Sequence, residues 1–374
     1  MFYFIVLLPN MAWPFIAKAI WHQEITTGEV LANVLTVFCI GMLGYGISTS
    51  LNSRDVEILN GEVTKKIRDE VHCRHSYKCH CYETCSTDSQ GHRSCTEHCS
   101  TCYDHDFDVD WDVHSNLGSW TIDTIDRQGL KEPPRWTVVK AGDPVSMTNS
   151  FENLVKASQS SLFNTEQVAK ELAKYKGGFP GYPANVYDYY KHNKLVLVGL
   201  SLPKAETDKW NYLLANSAKK LGPKWRANPL VVLVKGQPAD YANALEMAWL
   251  GGKLNDVVLV VGTDTGKDVK WARAFSWSTE PMIEVTMRDS VLELTSLTPE
   301  GVVAAFDKNV PKNFHKRSKK SFEYLKDEVQ PTPAAMVWTF IFCLLANIGL
   351  TIFFHKEQTL PGLREFFNIK GYRK

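Results

Sequence analysis

From Thr332 to Phe354 (TPAAMVWTFIFCLLANIGLTIFF) the chain runs without one charged side chain. Coiled as a helix, a run of this length matches a hydrocarbon core of about 30 Å, and it predicts a transmembrane helix. A second such run, Gly28 to Ser50, lies near the other end, with Glu29 as its single charge. Its Gly41, Gly44 and Gly46 would admit a close neighbouring helix, so residues 28–50 are also a candidate face for oligomer formation. Before it, Met1 to Trp21 is apolar but interrupted by Pro9, Asn10 and Pro14. That fits a kinked span or an interfacial segment, with Trp13 and Trp21 at headgroup depth. The missing basic leader and cleavage step argue against a removed signal peptide.

The tail after the last span carries Lys356, Arg364, Lys370, Arg373 and Lys374 against Glu357 and Glu365. Short basic tails stay cytoplasmic, so the expectation is an integral membrane protein with its body outside the cytoplasm. Lys65, Lys66 and Arg68, with Lys316, Arg317, Lys319 and Lys320, flank the spans on the body side and point the other way. They belong to a long domain, where charges count for little. A hydrophobic content of 44% with 22% charge excludes a disordered chain, and a net charge of +1 excludes nucleic-acid binding by bulk charge. A mean hydropathy of −0.22 excludes a polytopic transporter.

After the membrane comes CRHSYKCHCYETCSTDSQGHRSCTEHCSTC. Cys73, Cys79, Cys81, Cys85, Cys95, Cys99 and Cys102 are crowded by His72, His75, His80, His92, His98 and His105. The segment holds too few apolar residues for a core, so cross-links must replace one. Seven thiolates plus His98 would make two tetrahedral Zn²⁺ sites of structural type, read as two knuckles joined by a Ser/Gly turn. A disulfide framework suits an extracytoplasmic body equally and leaves one cysteine over. A thiol-redox pair, Cys99 and Cys102, is a third reading.

Asp106 to Val113 alternates strictly: Phe107, Val109, Trp111 and Val113 on one face, Asp106, Asp108, Asp110 and Asp112 on the other. With a turn at Asn116–Ser119 and a return strand over Trp120–Ile125, it predicts a β-hairpin. The aspartate face reads as solvated rather than as a Ca²⁺ site. Lys131 to Thr148 reads as irregular, Phe151 to Lys174 as helical, and residues 177–190 as a Gly/Pro-rich aromatic loop. Buried strands over 195–202, 229–236 and 256–263 alternate with helices over 205–221 and 239–250. A strand over Lys267–Ser276, a further one over Met282–Met287 and a helix over Thr298–Asp307 follow. The expected class is α+β or α/β: terminal transmembrane helices flank a body with a Cys/His module, a hairpin and an α/β sandwich head. The expected order is membrane segments 1–51, stalk and Cys/His module 52–104, hairpin, helix and aromatic loop 105–194, head 195–330, transmembrane helix 331–354, and tail 355–374.

The stretch YANALEMAWLGGKLNDVVLVVG resembles the TPM domain, a small α/β module of membrane-anchored extracytoplasmic proteins, over about residues 195–294. Trp249 and Gly251 match its Trp-x-x-Gly-like step, and Asn255 the Asn of its Asp-Asn-Gly turn. Leu254 and Asp256 stand where that turn has Asp and Gly, and SWSTEPMIEV replaces the family's acidic glycine loop. The resemblance therefore implies the fold without the family's metal ligands. The rest of the chain resembles uncharacterised membrane proteins of tailed phages. GTDTGKD (262–268) has three residues between its glycines, not the four of a phosphate loop, and leads toward a strand. The leading functional expectation is a membrane-anchored binding or scaffold protein that meets other membrane or extracytoplasmic proteins. Its partner surface would be Phe179, Tyr182, Tyr187, Trp271 and Trp277, with Phe275 beside them. The alternative is a metal-dependent phosphatase or other hydrolase using Asp256, Asp264 and Asp268.

Overall fold

The computed structural model describes residues 2–22, 25–87, 91 and 93–357. His92 and the tail beyond residue 357 lie outside the described residues. The chain opens with helices α1 (Phe2–Ile20) and α2 (Thr27–Ser53), then strands β1 (Arg54–His72), β2 (Ser76–Thr87), β3 (Arg93–Tyr103), β4 (Phe107–Ser115) and β5 (Ser119–Ile122). A short α3 (Pro134–Val138) leads to β6 (Pro144–Glu152), α4 (Leu154–Ala157), α5 (Glu166–Ala173), β7 (Val186–Tyr187) and β8 (Lys191–His192). The head holds β9 (Leu195–Val198), α6 (Lys204–Trp225), β10 (Asn228–Val234), α7 (Asp240–Ala248), β11 (Asp256–Gly262), β12 (Trp271–Ser276), α8 (Met282–Leu292) and α9 (Pro299–Asn313). A 3₁₀ stretch, Lys319–Glu328, precedes α10 (Pro333–Glu357). The elements form two compact units.

The first unit combines Met1–Asp55, Ser150–Lys176 and Lys319–Lys374. Among its described residues, two helices, over Thr27–Ser53 and Pro333–His355, are long and apolar enough to cross a membrane. α1 packs along both, through Tyr3, Leu7, Val37 and Cys343 toward one end and Ala17, Val30 and Phe354 toward the other. A Cβ on Gly41 would stand 2.8 Å from Leu7, and one on Gly44 2.5 Å from the Thr339 hydroxyl, while Gly46 meets open space. Two of the three glycines thus serve close approach within the chain. Thr26 starts α2 with a capping box to Glu29. The expected helix over Phe151–Lys174 is divided: strand β6 runs through its first two residues, and α4 and α5 are separate turns, each opened by its own Asn153 or Thr165 cap.

The second unit, Val56–Asn149 with Gly177–Ser318, contains two four-stranded sheets. One has the order β5-β4-β1-β6. Its expected hairpin is present, Trp111 facing Ile122 and Val113 facing Trp120. β1, expected as stalk, is instead an interior strand paired with β4 from Val63 to His72. The other sheet has the order β12-β11-β10-β9, parallel except for β12. β10 and β11 are buried along their whole length, as continuous Val/Leu runs require. Trp210 and Leu214 of α6, Ile283 and Met287 of α8 and Phe306 of α9 fill the core beside Val231, Leu233 and Leu259. The strand expected over 282–287 is helix α8, because Ile283, Met287 and Val291 recur at helical spacing and face that core.

Candidate metal centre

Between β1 and β4 the chain leaves the sheet as a two-stranded arm, β2 with β3, nearly every residue of which is exposed. Its cross-links are Cys79–Cys102, Cys81–Cys99 and Cys85–Cys95. The two-zinc set of seven cysteines and His98 is therefore not assembled. Six of its thiols pair with one another across the arm, as in the disulfide alternative, and His98 stacks on Tyr82 at 5.4 Å. Cys99 and Cys102 are bonded to different partners, so they do not form the dithiol pair of the redox reading.

Cys73 is left over, and it is buried. It sits in the link from β1 to β2, with His75 two residues on, while His105 and Asp108 lie where β3 passes into β4. One ligand-type atom from each of these four residues lies within 4.8 Å of the others. Cys73 Sγ is 3.5 Å from His105 Nδ1. Nδ1 of His75 and Nδ1 of His105 each stand 3.3 Å from an oxygen of Asp108. Nδ1 of His75 and Oδ1 of Asp108 are nevertheless buried without a hydrogen-bond partner among the described residues. The Arg74 backbone N–H donates to Asp108 Oδ2 at 2.8 Å, and chiefly for that reason the carboxyl sits below the usual carboxylate range. The Arg74 guanidinium pairs with Asp110. The expected solvated aspartate face is thus corrected at its centre: Asp108 and Asp110 are buried beneath the Cys73–His75 link.

A second polar cluster lies inside the same unit. Lys194, fully buried, donates to Asn60 Oδ1 at 2.7 Å and to Asn228 Oδ1 at 2.9 Å. Burial lowers its pKa to about 7 and that of neighbouring His192 to about 3. Asn228 in turn donates to Asp256, which burial pushes up to about 6. Asp256 also accepts from Tyr182 Oη at 3.1 Å and the Lys253 N–H at 2.7 Å. Gly222 of α6 makes room here, since a Cβ would stand 2.2 Å from the Asn60 carbonyl.

The hydrolase trio does not converge. Asp256 opens β11, whereas Asp264 and Asp268 follow its other end, about 20 Å away at the rise of a seven-residue strand. Asp268 instead closes its own loop, accepting from the hydroxyls of Thr263 and Thr265 and from the Thr265 N–H, with Lys270 beside it. Those contacts, the Thr265 hydroxyl foremost, hold its pKa well below the carboxylate range. The Asp264 N–H also donates to Asp268, and the Gly266 and Lys267 N–H groups donate to the Thr263 and Thr265 hydroxyls, so these loop amides are already engaged.

The aromatic set is mostly inward. Phe179 packs near Tyr241, Tyr182 lies edge-on to Trp249, and Trp277 donates to the Leu250 carbonyl. Phe275 is buried, and only Tyr187 of the five named residues is exposed. Trp271 faces Gly262 at the far end of the strand pair from Trp277, so the five do not share one patch. Comparisons with family models, with curated proteins and with solved structures give no match. His75, His105 and Asp108 carried a signal in the sequence, since they flank the cysteine run at its two ends. Their convergence depends on the arm folding back on itself.

Proposed function

We propose that the chain is a membrane-anchored binding protein whose cross-linked arm, Ser76 to Tyr103, is its contact element. In this reading the body lies outside the cytoplasm, the tail inside, and a TPM-like head serves as a non-catalytic support. The observation that carries it is the arm. Among its described residues it has no apolar core; it is tied by three disulfides and turns Tyr77, Tyr82 and Tyr103 outward at 51%, 65% and 44% exposure. Disulfides persist in oxidising compartments, which supports the body's placement. Exposed tyrosines on a rigid frame suit a protein partner, another membrane or extracytoplasmic protein.

Two measurements test this. A reporter active only in the cytoplasm should signal when fused after Lys374 and stay silent at Gly177; the reverse pattern overturns the topology. A photo-crosslinker replacing Tyr82 in native membranes should trap a discrete adduct, and one replacing Tyr212, equally exposed on α6, should not. Equal trapping, or none at Tyr82, overturns the role of the arm.

A further inference from the structure

We infer that Cys73, His75, His105 and Asp108 form a zinc site that clasps the root of the arm, an assignment independent of what the arm contacts. The donor set is one thiolate, two imidazoles and one carboxylate, the borderline mixture that zinc takes in four-coordinate sites. The spacing fits the ion. Zinc bonds of about 2.0–2.1 Å to N and O and about 2.3 Å to S give a tetrahedron with N···O edges of about 3.3 Å and S···N edges of about 3.5 Å. The unpartnered Asp108 Oδ1 stands 3.3 Å from His105 Nδ1, and Cys73 Sγ stands 3.5 Å from the same nitrogen; His75 Nδ1 approaches the other oxygen, Oδ2, at 3.3 Å and lies with the rest of the set within 4.8 Å.

The atoms converge without satisfying one another. His75 Nδ1 and Asp108 Oδ1 are buried and unpartnered although a complementary group stands beside each. A buried polar atom left unpaired is costly, and a shared cation removes that cost for both. The surroundings are those of a held ligand set. The His75 N–H points at Cys73 Sγ at 3.4 Å, and the Arg74 N–H fixes Asp108. The other clusters of metal-binding type on the arm differ in kind, because each contains two cysteines already bonded to each other. Here the thiol is free. Four protein ligands close the coordination sphere, which makes the site structural. Two of them precede β2 and two follow β3, so the ion joins both roots of the arm.

The test uses the full-length chain in detergent. Purified without chelator, it should hold one zinc, and after chelation it should take up Co²⁺ with the visible bands of a tetrahedral ion and a thiolate-to-metal band in the near ultraviolet. Cys73→Ser should abolish the thiolate band. His75→Ala, at a half-exposed residue, should weaken zinc binding by more than the roughly 10–100-fold that loss of an outer partner costs. If Cys73→Ser fails to fold, His75→Ala and Asp108→Asn carry the same reading, and zinc should raise the melting temperature of the wild type but of neither variant. A wild-type chain that takes up neither zinc nor cobalt overturns the site. So does a cobalt spectrum without a thiolate band, or zinc retained undiminished in His75→Ala.

Discussion

Pro14 cannot donate the amide hydrogen that a helix would direct to the Asn10 carbonyl. In the membrane setting proposed above, no water would replace it. Asn347 of α10 does so, its Nδ2 donating to the Asn10 carbonyl at 2.9 Å, while Asn10 Nδ2 donates to the Phe340 carbonyl. Asn347→Leu should therefore destabilise the solubilised chain by about 1 kcal/mol, within the range of membrane hydrogen bonds. The loss should shrink in a Pro14→Ala background, where the helix satisfies its own carbonyl; equal losses in a double-mutant cycle of melting temperatures would refute this. The proline's break was legible in the sequence. Its remedy was not, because it comes from a residue 337 positions away. Lys194 gives a second expectation. Unfolded lysine titrates near about 10.4, so between roughly pH 7 and pH 10 the unfolded chain binds a proton that the folded chain does not. Stability should rise with pH across that window. Asp256 acts oppositely: from roughly pH 4 to pH 6 the folded chain keeps a proton the unfolded chain has lost, and stability should fall. Lys194→Met should flatten the alkaline rise at little cost, since Asn60 Oδ1 keeps the Ser146 hydroxyl and Asn228 Oδ1 keeps Asn60 Nδ2. A rise that survives the substitution, followed by thermal melts across pH, would place it elsewhere.

At the scale of elements, the arm and the sheet it leaves are held by different forces. The sheet has Val63, Val109, Trp111, Val113 and Trp136 in its core, whereas the arm's described residues have a two-stranded ladder and three cross-links in place of a core. Reduction should open residues 76–103 to proteolysis while the melting transition moves little. A large shift on reduction, or cleavage outside the arm, would show that arm and core unfold together. β4 was legible because Val109, Trp111 and Val113 alternate and enter that core. β1 was not: its sequence RDVEILNGEVTKKIRDEVH is charged on both faces toward its end, and only pairing with β4 reveals a strand. MIEVTM misled in the opposite sense, since its alternation is incidental to the helical recurrence of Ile283, Met287 and Val291. Asp108, the carboxylate at the arm's root, escaped for a related reason. Aspartates that look solvated in a period-two pattern are covered once the Cys73–His75 link folds across them.

Across the molecule, the three aspartates of the hydrolase reading lie apart. Asp256 is sealed inside one unit, and Asp264 and Asp268 are engaged in a loop of their own. The full-length chain should show no phosphatase turnover with Ca²⁺, Mg²⁺, Mn²⁺ or Zn²⁺. Turnover lost on Asp256→Ala would reverse that expectation. The helical unit is built from three stretches that are far apart in sequence, Met1–Asp55, Ser150–Lys176 and Lys319–Lys374, with the other unit's segments spliced between them. A ribosome delivers α1 and α2 before the body and α10 after it. Throughout synthesis of the intervening residues the Asn10 carbonyl waits for Asn347, and Gly44 for Thr339. With the unit as the membrane anchor proposed above, a nascent chain stalled anywhere before α10 would be an incomplete anchor with these polar groups left open. Assembly of the bundle reports that translation has reached the far side of the body.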